Sequence, residues 1–196
     1  MMVIGLTGGI GSGKTTVAGF FKEKGIAVYI ADDAGKRLLE TSEKIREQVI
    51  ALLGQKAYND HTPNRKYIAS IVFNDTEKLE ALNSIIHPAV ASDFEIWKTK
   101  QTSVYVIYEA AILFESGGYR KCDYNILVTA NKEERLKRLQ QRDQSTIEEI
   151  EARMARQWSD EKKKKLADFE IQNHDLALAR SKVDELHEIL LKRGKN

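Results

Sequence analysis

The chain has 196 residues, of which 42% are hydrophobic and 31% charged, and its formal net charge is +2. This length and balance predict one well-cored domain, and the charge is too small to indicate nucleic acid as the main partner. The single cysteine excludes an internal disulfide framework and a cysteine-based zinc site. Apolar runs fall short of the roughly 18 residues that a membrane-spanning helix needs. No targeting segment is recognised, so we expect a cytoplasmic protein without a membrane partner.

Short apolar runs alternate with helical patterns along the chain. The apolar runs predict five buried strands, at residues 2–6, 27–30, 104–108, 125–128 and 169–171. Apolar residues at helical spacing predict a first helix that ends near Gly25 and a last helix whose apolar face spans residues 183–190. Strands that alternate with helices are typical of a parallel sheet covered on both faces.

Residues 33–100 contain four helical patterns and no predicted strand. We expect residues 54–64, which contain glycine, asparagine, aspartate and proline, to form a loop. His87-Pro88 predicts a break between two helices, because proline disfavours the α conformation of the residue before it. The segment is too long for a plain crossover between strands, so we predict a helical insertion.

Residues 8–15 are Gly-Gly-Ile-Gly-Ser-Gly-Lys-Thr and match the pattern GxxxxGK[ST] at every fixed position. A predicted strand precedes the motif and a predicted helix follows it, as phosphate binding requires. The glycines allow a tight turn with N–H groups pointing inward, and the helix offers its positive end to the phosphates. The motif therefore predicts a P-loop for a nucleoside triphosphate. We expect Lys14 on the β- and γ-phosphates, Thr15 on Mg²⁺ and Thr16 near the α-phosphate.

Acidic residues follow two of the predicted strands. Asp32 and Asp33 follow the second strand, where a carboxylate could face the γ-phosphate and accept the proton of an attacking hydroxyl. Asp33 could instead cap the next helix. Glu109 and Glu115 follow the 104–108 strand, where P-loop proteins often carry an acidic group near Mg²⁺. Either glutamate could equally be a solvated loop residue.

The stretch 132–165 is predicted to be helical and holds eleven lysines and arginines. Arg135, Arg138 and Arg142 are spaced by three and four residues, so they share one helix face. An arginine-bearing lid would neutralise a transferring phosphoryl group and exclude water. We expect one or two of these arginines to reach the nucleotide, while most of the other charges form a solvated face.

Taken together, these segments resemble the dephospho-coenzyme A kinase family. The resemblance covers nearly the whole chain and rests on residues 5–16, Ala31-Asp32-Asp33, His87-Pro88, residues 111–115, Gln141-Arg142-Asp143, Ala167-Asp168, Ile171 and Asn173. Three positions depart from the family pattern: Thr15 stands where serine is usual, Ala111 replaces a proline, and the usual glycine after Asn173 is missing.

The resemblance implies an α/β fold of the P-loop NTPase class. It predicts a five-stranded parallel sheet flanked by helices, with a helical substrate-binding insertion and a helical lid. In a single kinase domain, we expect the core at about 1–32, 101–137 and 157–196, the insertion at about 33–100 and the lid at about 138–156.

The resemblance also implies an activity, the phosphorylation of the ribose 3′-hydroxyl of dephospho-coenzyme A by ATP with Mg²⁺. The implied catalytic residues are Asp32, Lys14 and Arg142. The implied ATP-binding residues are Gly8, Gly9, Gly11, Ser12, Gly13, Lys14, Thr15, Thr16, Arg142 and Asn173. The implied substrate-binding residues are Asp32, His87 and Leu113. We expect a monomer or a weak homo-oligomer.

A P-loop also occurs in three other classes of protein. A kinase for a nucleoside monophosphate or shikimate would share the fold but needs a different acceptor site. A GTPase is disfavoured, because residues 131–134 (Asn-Lys-Glu-Glu) place glutamate where the guanine-binding motif Asn-Lys-x-Asp has aspartate. Residues 32–35 match Asp-x-x-Gly, but too soon after Lys14 for a switch loop. A purely binding or regulatory P-loop protein is not favoured, because Lys14, Thr15 and Asp32 are all present.

Overall fold

A computed structural model of the protein describes residues 1–73, 75–143 and 145–194. The chain divides into two compact units: a core unit, Met1–Ile30 with Gln101–Asn196, and a helical unit, Ala31–Lys100. Each unit has its own cluster of buried apolar side chains. Position 144 of the predicted lid, position 74 of the predicted insertion and positions 195 and 196 of the predicted core lie outside the described residues.

The core unit is built on a five-stranded parallel sheet, which confirms the predicted fold class. In chain order the described strands are β1 (Met2–Thr7), β2 (Val28–Ile30), β3 (Tyr58–Asn59), β4 (Thr62–Pro63), β5 (Tyr105–Glu109), β6 (Tyr124–Thr129) and β7 (Phe169–Gln172). The sheet has the order β2-β5-β1-β6-β7, while β3 and β4 form a separate pair. β1 is central, and its Ile4 lies beside Ile107 on one side and Tyr124 on the other.

Helices occupy most of the remaining described chain. They are α1 (Lys14–Glu23), α2 (Ala31–Thr41), α3 (Glu43–Leu53), α4 (Arg65–Val72), α5 (Thr76–Lys98), α6 (Lys132–Asp143), α7 (Ile147–Ala155), α8 (Asp160–Lys164) and α9 (Leu176–Arg193). One apolar cluster joins α1 and α9 to the sheet through fully buried Phe21 and Val183, packed with Ile4. Burying each large apolar side chain contributes about 1.5–3 kcal/mol, so this cluster fixes α1 at the end of β1.

The predicted loop at residues 54–64 is wrong, because this segment contains regular structure. A 3₁₀ turn spans Gln55–Ala57, and β3 and β4 then pair as an antiparallel hairpin. Tyr58 is buried in the apolar cluster of the helical unit, and its hydroxyl donates a hydrogen bond to the carbonyl oxygen of Leu39 at 2.8 Å. This packing organises a segment whose strands are too short to show an alternating pattern.

The predicted break at His87-Pro88 is also wrong, because α5 continues through Pro88. Proline inside a helix costs about 3 kcal/mol through a lost hydrogen bond and a steric clash. Leu82 lies before it, and Val90 and Phe94 after it; all three are buried. Packing on both sides of Pro88 therefore offsets the local cost. Earlier in the unit, the side chain of Ser42 caps the N-terminus of α3.

Candidate active site

The P-loop connects the C-terminal end of β1 to the first residue of α1. Gly13 has φ 89° and ψ 27°, a left-handed conformation that favours glycine. At Gly8 the constraint is space, because an added Cβ would collide with the backbone oxygen of Val128. The loop can therefore make its tight turn next to β6.

The N-terminus of α1 is open to an anion. Gly13 is the capping residue, and no side chain among the described residues donates or accepts a capping hydrogen bond there. Thr15 and Thr16 lie in the first turn and are both exposed. The positive end of the helix dipole and the exposed hydroxyl groups suit a phosphate chain.

Lys14 extends from this turn towards the end of β5. Its Nζ lies 3.6 Å from Oε1 of Glu109, and both side chains are largely buried. Glu109 is brought there by the pairing of β1 with β5, in which Leu6 is the register partner of Glu109. A buried carboxylate needs a partner of opposite charge, and Lys14 supplies it. Of the two glutamates considered from the sequence, Glu109 is therefore the one beside the P-loop lysine.

The side chains of Asn173 and Arg138 both contact the P-loop at the carbonyl oxygen of Ser12. Asn173 Nδ2 donates to this oxygen at 2.9 Å, and Arg138 Nη1 donates to it at 3.4 Å. Arg138 Nη2 also donates to the carbonyl oxygen of Asn173 at 2.8 Å. The predicted ATP-binding residue Asn173 is thus placed against the loop, and Arg138, one of the three arginines predicted to share a helix face, joins it there.

The three arginines on one face of α6 have different partners. Arg135 Nε donates to the carbonyl oxygen of Ile10 at 2.8 Å. Arg142 is exposed and donates through Nε and Nη2 to Asp143 at 2.6 and 3.0 Å. These bonds raise the pKa of Arg142 and, with Arg153, hold the pKa of Asp143 well below its usual range. None of the contacts that Arg142 makes with the described residues reaches the P-loop.

Asp32 and His87 lie within the helical unit. α2 starts at Ala31, directly after β2, so Asp32 and Asp33 are both in its first turn. Asp33 lies inside the helix and pairs with Lys36 at 2.9 Å, so the alternative of Asp33 as the capping residue is wrong. Desolvation lowers the pKa of His87, and the charge of Asp32 opposes this shift. Asp32 and His87 are therefore close enough for the charge of Asp32 to act on the imidazole.

Leu113 and Glu115 follow β5 and are held by the core unit. Leu113 is 1% exposed, and its side chain packs against Gly5 and Gly118. Glu115 Oε1 accepts a hydrogen bond from the backbone N–H of Trp158 at 3.0 Å and lies 3.0 Å from Lys163 Nζ. Lys163 is fully buried, so Glu115 supplies its opposite charge.

Within residues 1–73, 75–143 and 145–194, no group of three or more His, Cys, Asp and Glu side chains is placed to hold a metal ion. Mg²⁺ usually binds through one or two protein oxygens together with substrate phosphates and waters. The exposed hydroxyl of Thr15 and the carboxylate of Glu109 fit that donor set. In the described chain, no helix combines the length and apolar character needed to cross a membrane.

Comparisons with known proteins show the family of this chain. The family model for dephospho-CoA kinase matches residues 2–178. A dephospho-CoA kinase of Salinibacter ruber is 40% identical over 177 residues, which cover 88% of this chain and 89% of that protein. One of Fusobacterium nucleatum is 39% identical over 175 residues, covering 89% and 90%. The crystal structure of TT1252 from Thermus thermophilus has a TM-score of 0.86 at 30% identity, covering 97% of each chain. The chain therefore belongs to the dephospho-CoA kinase family and is a kinase.

Proposed function

We propose that this kinase transfers the γ-phosphoryl group of ATP to the ribose 3′-hydroxyl of dephospho-coenzyme A, giving coenzyme A and ADP. The observation that carries the proposal is the P-loop, with Lys14 at the open end of α1, in a chain that belongs to the dephospho-CoA kinase family. The family match does not favour a nucleoside monophosphate kinase.

The phosphate chain of ATP binds along residues 8–16 in this proposal. Phosphoryl transfer passes through a loose transition state, so the protein contributes mainly positioning and charge neutralisation. Lys14 neutralises the β- and γ-phosphates, and the N-terminal end of α1 adds the positive field of its dipole. Thr15, with Glu109 close by, would hold Mg²⁺, and the ion would supply positive charge to neutralise the phosphates.

The acceptor hydroxyl loses its proton to Asp32. The support is the match of Ala31-Asp32-Asp33 to the family pattern and the position of Asp32 directly after β2, where α/β proteins bind ligands. In a loose transition state this carboxylate orients the hydroxyl and removes its proton late. His87, whose pKa is influenced by the charge of Asp32, binds the acceptor. Leu113 is the third residue that we propose to bind this substrate.

Arg142 stabilises charge on the transferring phosphoryl group from the lid. It is exposed on the last turn of α6 and is held by Asp143, an ion pair that the phosphoryl group can replace. Asn173 contributes on the adenine side of ATP while it supports Ser12. The lid comprises residues 138–156, which include the end of α6 and all of α7.

The physiological setting that we propose follows from composition. A single cysteine suits a reducing compartment, so we propose a cytoplasmic enzyme. A net charge of +2 gives no reason for a nucleic-acid partner. We propose a monomer or a weak homo-oligomer, with dephospho-coenzyme A as the small-molecule partner.

Product analysis tests the proposed reaction. Purified protein with ATP, Mg²⁺ and dephospho-coenzyme A should form coenzyme A and ADP in equal amounts, as measured by liquid chromatography with mass spectrometry. Lys14→Met should lose at least about 100-fold in kcat/KM, because one P-loop cation neutralises transition-state charge. Lys22→Met, on the exposed side of α1, is the matched control and should retain activity. ADP formation without coenzyme A would contradict the proposal.

Competition between nucleotides tests the choice of ATP. ATP should displace a fluorescent ATP analogue from the wild-type protein far better than GTP does, because the guanine-binding motif is incomplete at Glu134. Preferential displacement by GTP would contradict ATP as the phosphoryl donor.

A further inference from the structure

A single P-loop residue, Ile10, is held by two side chains that lie on either side of the lid in the sequence. Arg135 precedes the lid, and its Nε donates to the carbonyl oxygen of Ile10 at 2.8 Å. Gln157 follows the lid, and its Oε1 accepts a hydrogen bond from the backbone N–H of Ile10 at 2.8 Å. Both backbone polar groups of Ile10 are therefore bound by the residues that flank the lid.

The segment that returns from the lid, residues 157–163, is itself anchored in the core unit. Asp160 Oδ2 pairs with Arg135 Nη1 at 3.4 Å, which joins the two segments that flank the lid. The next anchor is Glu115, which binds the backbone N–H of Trp158 and pairs with fully buried Lys163. Breaking a buried ion pair is strongly destabilising, so Glu115 and Lys163 stay paired. Because Glu115 also binds the N–H of Trp158, the neighbouring Gln157 is held in place.

The P-loop needs such a support because its own backbone is permissive. Ile10 lies between Gly9 and Gly11, and Gly11 has φ 81°. Glycines lose more conformational freedom than other residues when a ligand fixes them. A bond that holds the loop in its phosphate-binding shape before ATP arrives lowers that cost. Within the loop, the N–H of Ser12 donates to the carbonyl oxygen of Gly9, whereas the N–H of Ile10 donates to Gln157 Oε1.

We propose that Gln157 is a positioning residue of this kinase, which fixes the P-loop at Ile10 for phosphate binding and, with Arg135, joins that loop to the two segments that flank the lid. Gln157 is half-buried and is not among the residues predicted from the sequence to form the site. The inference rests on one part of the proposed function, the binding of ATP as the nucleotide. It does not depend on which acceptor is phosphorylated.

Equilibrium binding of ATP to Gln157 variants tests the inference. Gln157→Leu keeps the approximate size but removes the acceptor, and it should weaken ATP binding about tenfold in calorimetry, as loss of one positioning bond predicts. Gln157→Glu retains an acceptor for the N–H of Ile10, and Arg135 supplies a positive charge next to the same residue. Gln157→Glu should bind ATP within about threefold of wild type, a difference under 1 kcal/mol.

Kinetics separates positioning from a general loss of structure. Gln157→Leu should raise KM for ATP while KM for dephospho-coenzyme A changes by less than about twofold, because only nucleotide binding loses an interaction. Gln172→Leu is the matched control, since Gln172 is an exposed amide on β7 and should leave both KM values unchanged. If Gln157→Leu does not fold, Gln157→Asn replaces it, because its shorter amide cannot span to Ile10 and should give the same loss.

Two results would overturn the inference. One is ATP affinity equal to wild type when the acceptor is removed, and the other is an equal loss in Gln157→Glu and Gln157→Leu. Failure of the proposed function would look different. Wild-type protein would then leave dephospho-coenzyme A unphosphorylated, whereas the order of ATP affinities among the Gln157 variants would still follow the bond to Ile10.

Discussion

The Nζ of Lys14 lies 3.6 Å from Oε1 of Glu109, so the P-loop lysine neutralises a buried carboxylate at the end of the neighbouring strand. This relationship separates two glutamates that the sequence alone left equivalent. Glu109 pairs with Lys14 of the P-loop. Glu115 instead pairs with Lys163 and accepts a hydrogen bond from the backbone N–H of Trp158. Removal of each charge should therefore have a different effect.

Glu109→Gln should change the magnesium dependence of the reaction, because it removes a carboxylate next to the phosphate site. We expect the Mg²⁺ concentration for half-maximal rate to rise severalfold. Glu115→Gln should leave that concentration unchanged but lower the free energy of unfolding by about 3 kcal/mol, because Lys163 would stay buried without a counter-charge. Magnesium titrations of rate and chemical denaturation measure the two effects. The reverse assignment of effects would contradict the roles given to these residues.

Asp32→Asn should reduce kcat by at least about 100-fold, the scale of general-base catalysis, while ATP binding remains unchanged. The neighbouring carboxylate provides the control, because Asp33 pairs with Lys36 and Asp33→Asn should keep most of the activity. Steady-state rates and calorimetric ATP binding measure both. Near-normal turnover of Asp32→Asn would remove Asp32 from the proton transfer.

Arg142→Met should slow phosphoryl transfer more than it weakens acceptor binding, because the guanidinium stabilises charge that develops in the transition state. The expected loss in kcat is about 10- to 1000-fold, with KM for dephospho-coenzyme A nearly unchanged. Lys137→Met, which removes an exposed cation from the same helix, is the control. A rise in KM for the acceptor without a fall in kcat would place Arg142 outside the transfer step.

Protonation of His187 should destabilise the core unit in mild acid. Tyr105 Oη and His187 Nδ1 are 2.7 Å apart and share a hydrogen bond, and desolvation lowers the pKa of His187 below 6.5. The unfolded chain therefore binds this proton more readily than the folded one. The contribution to stability is complete above pH 6.5 and is lost as the pH falls through the folded pKa.

Chemical denaturation between pH 7.5 and 5.5 measures this effect. The free energy of unfolding of wild type should fall with pH more steeply than that of His187→Asn, since the variant lacks the titrating group. Equal slopes for wild type and His187→Asn would show that His187 does not link protonation to folding.

Features encoded by local patterns could be predicted from the sequence. The P-loop and the five strands of the core sheet depend on glycine spacing and on continuous apolar runs, and the structure has them within about two residues at each end. The short hairpin at residues 58–63 shows no such pattern. The predicted break at Pro88 is wrong because burial of Leu82 and Val90 outweighs the local cost of proline inside a helix.

Long-range contacts in the site could not be predicted in the same way. Arg135, Arg138 and Arg142 share a helix face by spacing, but the spacing does not tell which of them contacts the P-loop. The bond between Gln157 and Ile10 joins residues 147 positions apart and leaves no local pattern. Lys163 belongs to a run of four lysines, a pattern that predicts a solvated face. It is buried instead, because Glu115 supplies its counter-charge.

Acceptor specificity tests the central claim most directly. With saturating ATP and Mg²⁺, kcat/KM would be measured for dephospho-coenzyme A, AMP, UMP, CMP and shikimate. We predict that dephospho-coenzyme A exceeds every other acceptor by at least about 100-fold, because a site built to hold its hydroxyl rejects substrates that cannot fill it. Faster phosphorylation of a nucleoside monophosphate or of shikimate would contradict the proposed function.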